Sequence, residues 1–111
     1  MNNVSITGRL TRDAELLDLN NSTRKGIKFT LAVDRSRKNS AGEKEADFIP
    51  VVYFTEHWEK LHSCLIKGIL ISVTGKLSVH SYADSNTNQK FYTNVEAHNI
   101  EFLERKKEAA I

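Results

Sequence analysis

Residues 47–79 read DFIPVVYFTEHWEKLHSCLIKGILISVTGKLSV, and the changes of period inside this stretch decide the fold. Asp47 to Phe54 is apolar on both parities, the pattern of a strand with neighbours on each face. From Glu56 to Lys67 the interval changes. Trp58, Leu61 and Leu65 recur at helical spacing, with Trp58 as the expected core anchor, Thr55 placed to cap the start and Gly68 to end the helix. After Gly68 the period returns to two, and Ile69, Ile71, Val73, Leu77 and Val79 hold one parity of a long strand.

Working outward, Ile27, Phe29, Leu31 and Val33 alternate with Lys28, Thr30, Ala32 and Asp34, which predicts a strand with one face in a core. Val4, Ile6, Leu10, Leu16, Leu17 and Leu19 form a less regular first strand that bends near Thr11–Ala14. The last strand runs from Lys90 to about Leu103. Its apolar parity switches from Phe91, Val95 and Ala97 to Ile100 and Phe102, which predicts a β-bulge near His98–Asn99. Three strands, one helix and two strands is the order of an all-β, five-stranded OB-fold, a Greek-key barrel with its helix between strands 3 and 4. Thr7-Gly8-Arg9-Leu10 and Thr74-Gly75-Lys76-Leu77 each place a glycine inside a strand, where it belongs only if the strand bends sharply, as at a barrel corner. The polar stretches 35–46 and 83–90 are expected to be projecting hairpins. Residues 1–104 make the domain, and 105–111 (RKKEAAI) a short charged tail.

At 111 residues, 40% hydrophobic and 27% charged, the chain is long enough for one core and too apolar for a disordered polymer. No apolar run approaches the ~20 residues of a membrane span, and MNNVSITGRL lacks the basic start of a signal peptide. Cys64 alone supports no disulfide framework, so the expected compartment is the cytoplasm. His57, His62, His80 and His98 show no metal-ligand spacing, and His62 reads as a helix-surface residue. Phosphate-cradling glycine loops, GxSxG, HExxH and CxxC are all missing. No enzyme, metal or cofactor is expected.

Net charge is only +2, yet the segment from Arg24 to Lys38 carries +5 and the remainder −3. Such a patch gains meaning beside aromatic rings, because single-stranded nucleic acid binds by stacking bases on rings while cations neutralise phosphates. Phe48 and Phe54 share one parity of their strand, ~20 Å apart. Tyr82 closes the fourth strand among polar residues. Tyr53, Phe29, Phe91 and Phe102 read as packing or subunit-contact residues, and the doubly apolar 47–54 stretch suggests an interface.

The residues then reach a resemblance. Met1-Asn2-Asn3-Val4 through Gly8-Arg9-Leu10-Thr11-Arg12-Asp13-Ala14-Glu15-Leu16, the run Phe29–Val33, Asp47–Phe54, Val73–Leu77, Tyr82-Ala83-Asp84 and Tyr92–Val95 resemble, in order and spacing, the bacterial single-stranded DNA-binding protein (SSB) family over residues 1–104. The resemblance implies an OB-fold and a homo-oligomer, a tetramer with the dimer as alternative. It also implies non-specific coating of single-stranded DNA in replication, recombination and repair. Its stacking positions fall on Phe48, Phe54 and Tyr82, and a fourth, usually aromatic, falls on Arg37, whose guanidinium can stack and neutralise phosphate. Phosphate contacts are expected from Arg35, Lys38, Arg9, Arg12, Lys67, Lys76 and Lys28. The chain departs from the family at Ser78, His80 and Ser81, where cations are common, and at Pro50 and Glu56. Ending at Ile111, it resembles short forms without the acidic tail that recruits replication enzymes, so no recruitment by that route is expected. The alternative is an OB interaction module resembling primosomal replication protein N, with DNA contact secondary.

Overall fold

The computed structural model describes residues 1–18 and 24–104; Leu19, placed by sequence in the first strand, and the tail 105–111 lie outside the described residues. The bent first strand is two segments, β1 (Val4–Leu10) and β2 (Glu15–Asp18). Between them the Thr11 N–H bonds Thr30 O at 3.0 Å and the Ala14 N–H bonds Leu65 O at 3.0 Å, so the bend is pinned from two sides. Then follow β3 (Lys25–Lys38), β4 (Lys44–Thr55), α1 (Trp58–Cys64), β5 (Leu70–Ala83) and β6 (Gln89–Phe102). The sheet runs β1-β5-β6-β4-β3-β2, and pairing of β1 with β3 at Arg9–Ala32 and Leu10–Leu31 closes it. With β1 and β2 counted as one broken strand, this is the five-stranded OB barrel, its helix in the expected place.

The core follows the sequence parity. Ile27, Leu31, Val51, Leu65, Ile71, Val73 and Val95 are fully buried, each stabilising the fold by ~1.5–3 kcal/mol relative to exposure. The predicted bulge is present: Thr74 pairs with Asn99 but Gly75 with Ala97, leaving His98 as the extra residue. Both strand glycines sit where backbones cross. A Cβ on Gly8 would lie 2.5 Å from Ala32 O, and one on Gly75 would lie 2.2 Å from Glu96 O.

The helix departs from its reading. It spans seven residues, not the whole of 56–67, and Thr55 does not cap it: Thr55 Oγ1 accepts the His57 N–H at 3.0 Å, and His57 takes the capping position without a side-chain bond. Trp58 is half-buried with the Lys25 ammonium 5.2 Å from its ring centroid, and the anchor is Leu65, just past the helix. Unwinding after Cys64 lets Leu65 turn into the barrel end and frees its carbonyl for Ala14. His62 is not merely a surface residue; its Nε2 donates to Ala14 O at 2.9 Å.

Both hairpins form. Asn39 Oδ1 accepts the N–H groups of Ala41 and Glu43, and Asp84 Oδ1 those of Asn86 and Asn88, so each turn is organised by one short polar side chain. The hairpins extend well past the barrel. The radius of gyration is 16.0 Å, against about 13 Å for a compact chain of ~100 residues. Leu77 and Val79 continue the core parity into this extension but find no core there, and Val79 is 62% exposed. Phe91 (65%) and Phe102 are likewise exposed within the chain, so the packing role expected for them is not met inside it.

Candidate nucleic-acid interface

The β3–β4 register pairs Ala32 with Phe48, Lys28 with Val52 and Gly26 with Phe54, while Ile27, Phe29 and Leu31 take the opposite, core-facing parity. Phe48 and Phe54 therefore stand on the outer face of the sheet. The β5–β6 register pairs Tyr82 with Lys90, His80 with Tyr92, Ser78 with Asn94 and Lys76 with Glu96, and the parallel β4–β6 contact sets Val52 beside Glu96. All these side chains share that outer face. Phe48 is 68% exposed and Tyr82 52%. Phe54 is half-buried because β3 offers it a seat: a Cβ on Gly26 would come within 3.1 Å of its ring and 3.2 Å of Leu17.

Two rings join the set that sequence reasoning assigned no role. Tyr92, 50% exposed, stacks on His80 with centroids 4.8 Å apart and planes 19° apart, and Tyr82 leans on Tyr92 at 6.2 Å and 56°. The signal for them was cross-strand register. The hairpin's polar loop fixes which residues face each other, and His80 opposite Tyr92 is legible only once that loop is folded. The three rings form a short ladder along the hairpin, open to flat π-systems. Between this ladder and Phe54 lies a cleft of ≈ 340 Å³ whose lining includes Lys28, Asn94 and Glu96.

The expected phosphate ligands divide by what they already hold. Arg9 forms a bidentate pair with Glu104 at 2.7 and 3.1 Å and also donates to Gly68 O. Arg35 donates to Asp47 at 2.9 Å and Glu45 at 2.9 Å; Asp47 lies opposite Val33 on the core-facing parity, away from Phe48. Hydrogen bonds to Glu104 and Asp47, respectively, followed by the charge of those carboxylates, hold both guanidinium pKa values above the usual arginine range. Lys76 stands 3.9 Å from Glu96. By contrast Arg12, Lys28, Lys38 and Lys67 have no ion pair among the described residues, nor does Arg37 in the irregular stretch between Asp34 and Lys38. Lys28 lines the cleft and shares a shallow depression with Arg12. Lys67 sits at the barrel end, its backbone N–H on Asp13, and Lys38 on the β3–β4 hairpin, so neither adjoins the ring ladder. Among the described residues no three His, Cys, Asp or Glu side chains gather in a group that could hold a metal ion.

A closed OB barrel with bare rings and cations along one face belongs to the class of single-strand nucleic-acid-binding folds. Residues 1–103 match the Single-strand binding protein family. The chain is 38% identical over 109 residues to single-stranded DNA-binding protein 1 of Clostridium acetobutylicum, covering 98% of this chain and 99% of that one. It is 42% identical over 106 residues to single-stranded DNA-binding protein 2 of Staphylococcus aureus, covering 96% and 76%. Among solved structures, Plasmodium falciparum SSB in complex with ssDNA matches with a TM-score of 0.79 at 22% identity, covering 94% of this chain and 96% of the other, a likeness of fold. The chain belongs to the single-strand binding protein family, a family of binding proteins rather than enzymes.

Proposed function

We propose that this protein binds single-stranded DNA without sequence-specific recognition as a homo-oligomer, a tetramer with the dimer as alternative, in the cytoplasm during replication, recombination or repair. The observation that carries the reading is the exposure of Phe48, Tyr82 and Tyr92 on one sheet face with Lys28 beside the cleft. Bases stack on the rings, and unpaired cations take the phosphates. Duplex DNA hides its base faces and gains nothing from the rings. The names of the relatives support this reading over the protein-interaction module.

Two features support self-association. β1 pairs with β3 only at Arg9 and Leu10, so on that side residues 4–8 have no partner strand among the described residues. An unpaired edge is a template for a strand of a second copy. Leu77, Val79 and Phe91 also lie bare on one face of the β5–β6 extension, an apolar patch that a soluble chain covers by association. Titration with oligo-dT and with duplex of equal length in the analytical ultracentrifuge tests both parts. The expected result is a free protein at four times 12.6 kDa that binds the single strand in strong preference to the duplex. Equal affinity for duplex would remove the stacking argument, and a mass of 12.6 kDa the association.

A further inference from the structure

Of the four histidines, His80 alone stands in the ring ladder. Its imidazole lies nearly flat on Tyr92, with centroids 4.8 Å and planes 19° apart, and the residue is exposed. Stacking occupies a ring face, and among the described residues neither ring nitrogen has a hydrogen bond or an ion pair. His62, by contrast, is committed through Nε2 to Ala14 O. The elements around His80 set the charges it faces. On β5 Lys76 lies four residues back, and on β6 Lys90 stands opposite Tyr82 and Glu96 opposite Lys76. β3 contributes Lys28 across the cleft, whereas β4 and β2 line it with uncharged side chains only. The phenols of Tyr82 and Tyr92 complete the titratable groups on this face. Glu96 already lies 3.9 Å from the Lys76 ammonium, while Lys28 and Lys90 have no ion pair among the described residues. Along the hairpin His80 lies between the row of Lys28, which pairs with Val52 beside Glu96, and the row of Lys90. A phosphate backbone held by both lysines therefore runs past its imidazole.

We propose that His80 is a pH-gated phosphate contact: its imidazolium holds the backbone of the bound strand, so the protein grips single-stranded DNA more tightly as pH falls below neutral. The inference rests on the single-strand reading above and adds to it a control by pH. Imidazole is the side chain whose charge ordinarily changes between about pH 5 and 8. Neutral, it donates one N–H; charged, it donates two and sets a full positive charge beside the phosphate. A nearby anion favours the charged form, so a bound strand draws a proton onto His80. Linked equilibria are reciprocal, and the proton strengthens the binding of the strand by the same factor. The sign follows directly: the added affinity is present on the acid side and is lost as pH rises through the range where imidazole gives up its proton. Lysine and arginine keep their charge across that range, so contacts made by them add no such dependence.

The test is the affinity of the intact protein and of His80→Gln for oligo-dT of one length at about pH 6 and about pH 8, repeated over a salt series. Oligo-dT itself carries no group that gains or loses a proton in this window. The readout is the ratio of Kd at the higher pH to Kd at the lower within each protein. The stacking surface that glutamine lacks divides out of that ratio, and the other three histidines contribute to both proteins alike. The ratio of the intact protein is expected to exceed that of His80→Gln about two- to fivefold, the range of one exposed ion pair. Its slope of log K against log salt should also be steeper by about 0.7 at the lower pH, a change that the variant lacks. Net proton uptake by the intact protein on binding is expected as well, read by calorimetry in two buffers of different ionisation enthalpy, and needs no variant. Equal ratios in the two proteins, or no proton uptake, with oligo-dT still bound at both pH values, would overturn the gating role and leave single-strand binding intact. Failure of the intact protein to bind oligo-dT at either pH would overturn both.

Discussion

Individual rings on the outer face differ in what they rest on, and that difference separates binding from folding. Tyr82 leans on Tyr92 and is half exposed, so its ring is available to a base and contributes little to the barrel. Tyr82→Ala is expected to cost about 1–3 kcal/mol of single-strand affinity with the thermal midpoint nearly unchanged, read by titration and calorimetry on the same sample. Phe54 lies across Gly26 and is half-buried, so Phe54→Ala should lose binding and also lower the midpoint by several degrees, at roughly 4–8 °C per kcal/mol for a domain near this size. A Tyr82 variant that unfolds as readily as the Phe54 variant would place its ring in the fold rather than at the interface. Strand parity set Phe48 and Phe54 on one face in the sequence, because a residue's face is fixed by counting along one strand, and Tyr82 stood out by its place at a strand end among polar residues. His80 and Tyr92 were not legible, since their partnership depends on which residue of one strand stands opposite which residue of the next. The pairing of Arg9 and Arg35 with carboxylates was hidden for the same reason: Glu104 is ninety-five positions from Arg9.

At the scale of elements, the barrel is shaped by two bends that the sequence announced and by a helix end that it did not. The parity switch around His98 and the glycine in Thr74-Gly75-Lys76-Leu77 describe one event from its two strands. The extra residue on β6 kinks that strand against β5, and only a residue without a Cβ fits where the backbones close. Gly75→Ala would force a methyl group to within 2.2 Å of Glu96 O and 2.8 Å of the Ala97 Cα. Backbone cannot rotate away as a side chain can, so the expected loss is about 1–3 kcal/mol or more in urea unfolding. Gly42→Ala is the useful contrast. That glycine has a φ of +80° and nothing near its Cβ, so its substitution carries only the cost of the left-handed backbone, ~1–2 kcal/mol. Parity in the Gly75 variant with the Gly42 variant would mean the strands part easily at the bulge. The end of α1 escaped reading because Trp58, Leu61 and Leu65 keep helical spacing to the last, while the contact that unwinds the chain, Ala14 N–H to Leu65 O, comes from the bend between β1 and β2.

For the whole molecule, a net charge of +2 understates how the protein should meet a polyanion, because cations and carboxylates are sorted by position. Of the expected phosphate ligands, Arg9, Arg35 and Lys76 face Glu104, the Glu45–Asp47 pair and Glu96, whereas five, Arg12, Lys28, Arg37, Lys38 and Lys67, have no ion pair among the described residues. A cation already bound to a carboxylate releases no counterion from DNA unless it first gives up its partner, so the unpaired group sets the salt dependence. With about 0.7 in the slope of log K against log salt for each phosphate neutralised on a single strand, five contacts give roughly −3.5 per protomer. Lys28→Ala removes one of them and should flatten the slope by about 0.7. Arg9→Ala removes a guanidinium committed to Glu104 and Gly68 O, and should leave the slope nearly where it was even though the formal charge changes equally. Equal flattening in the two variants, measured by titrating one oligomer across a salt series, would show that Glu104 releases Arg9 to the DNA and that total charge, rather than its pairing, governs the encounter.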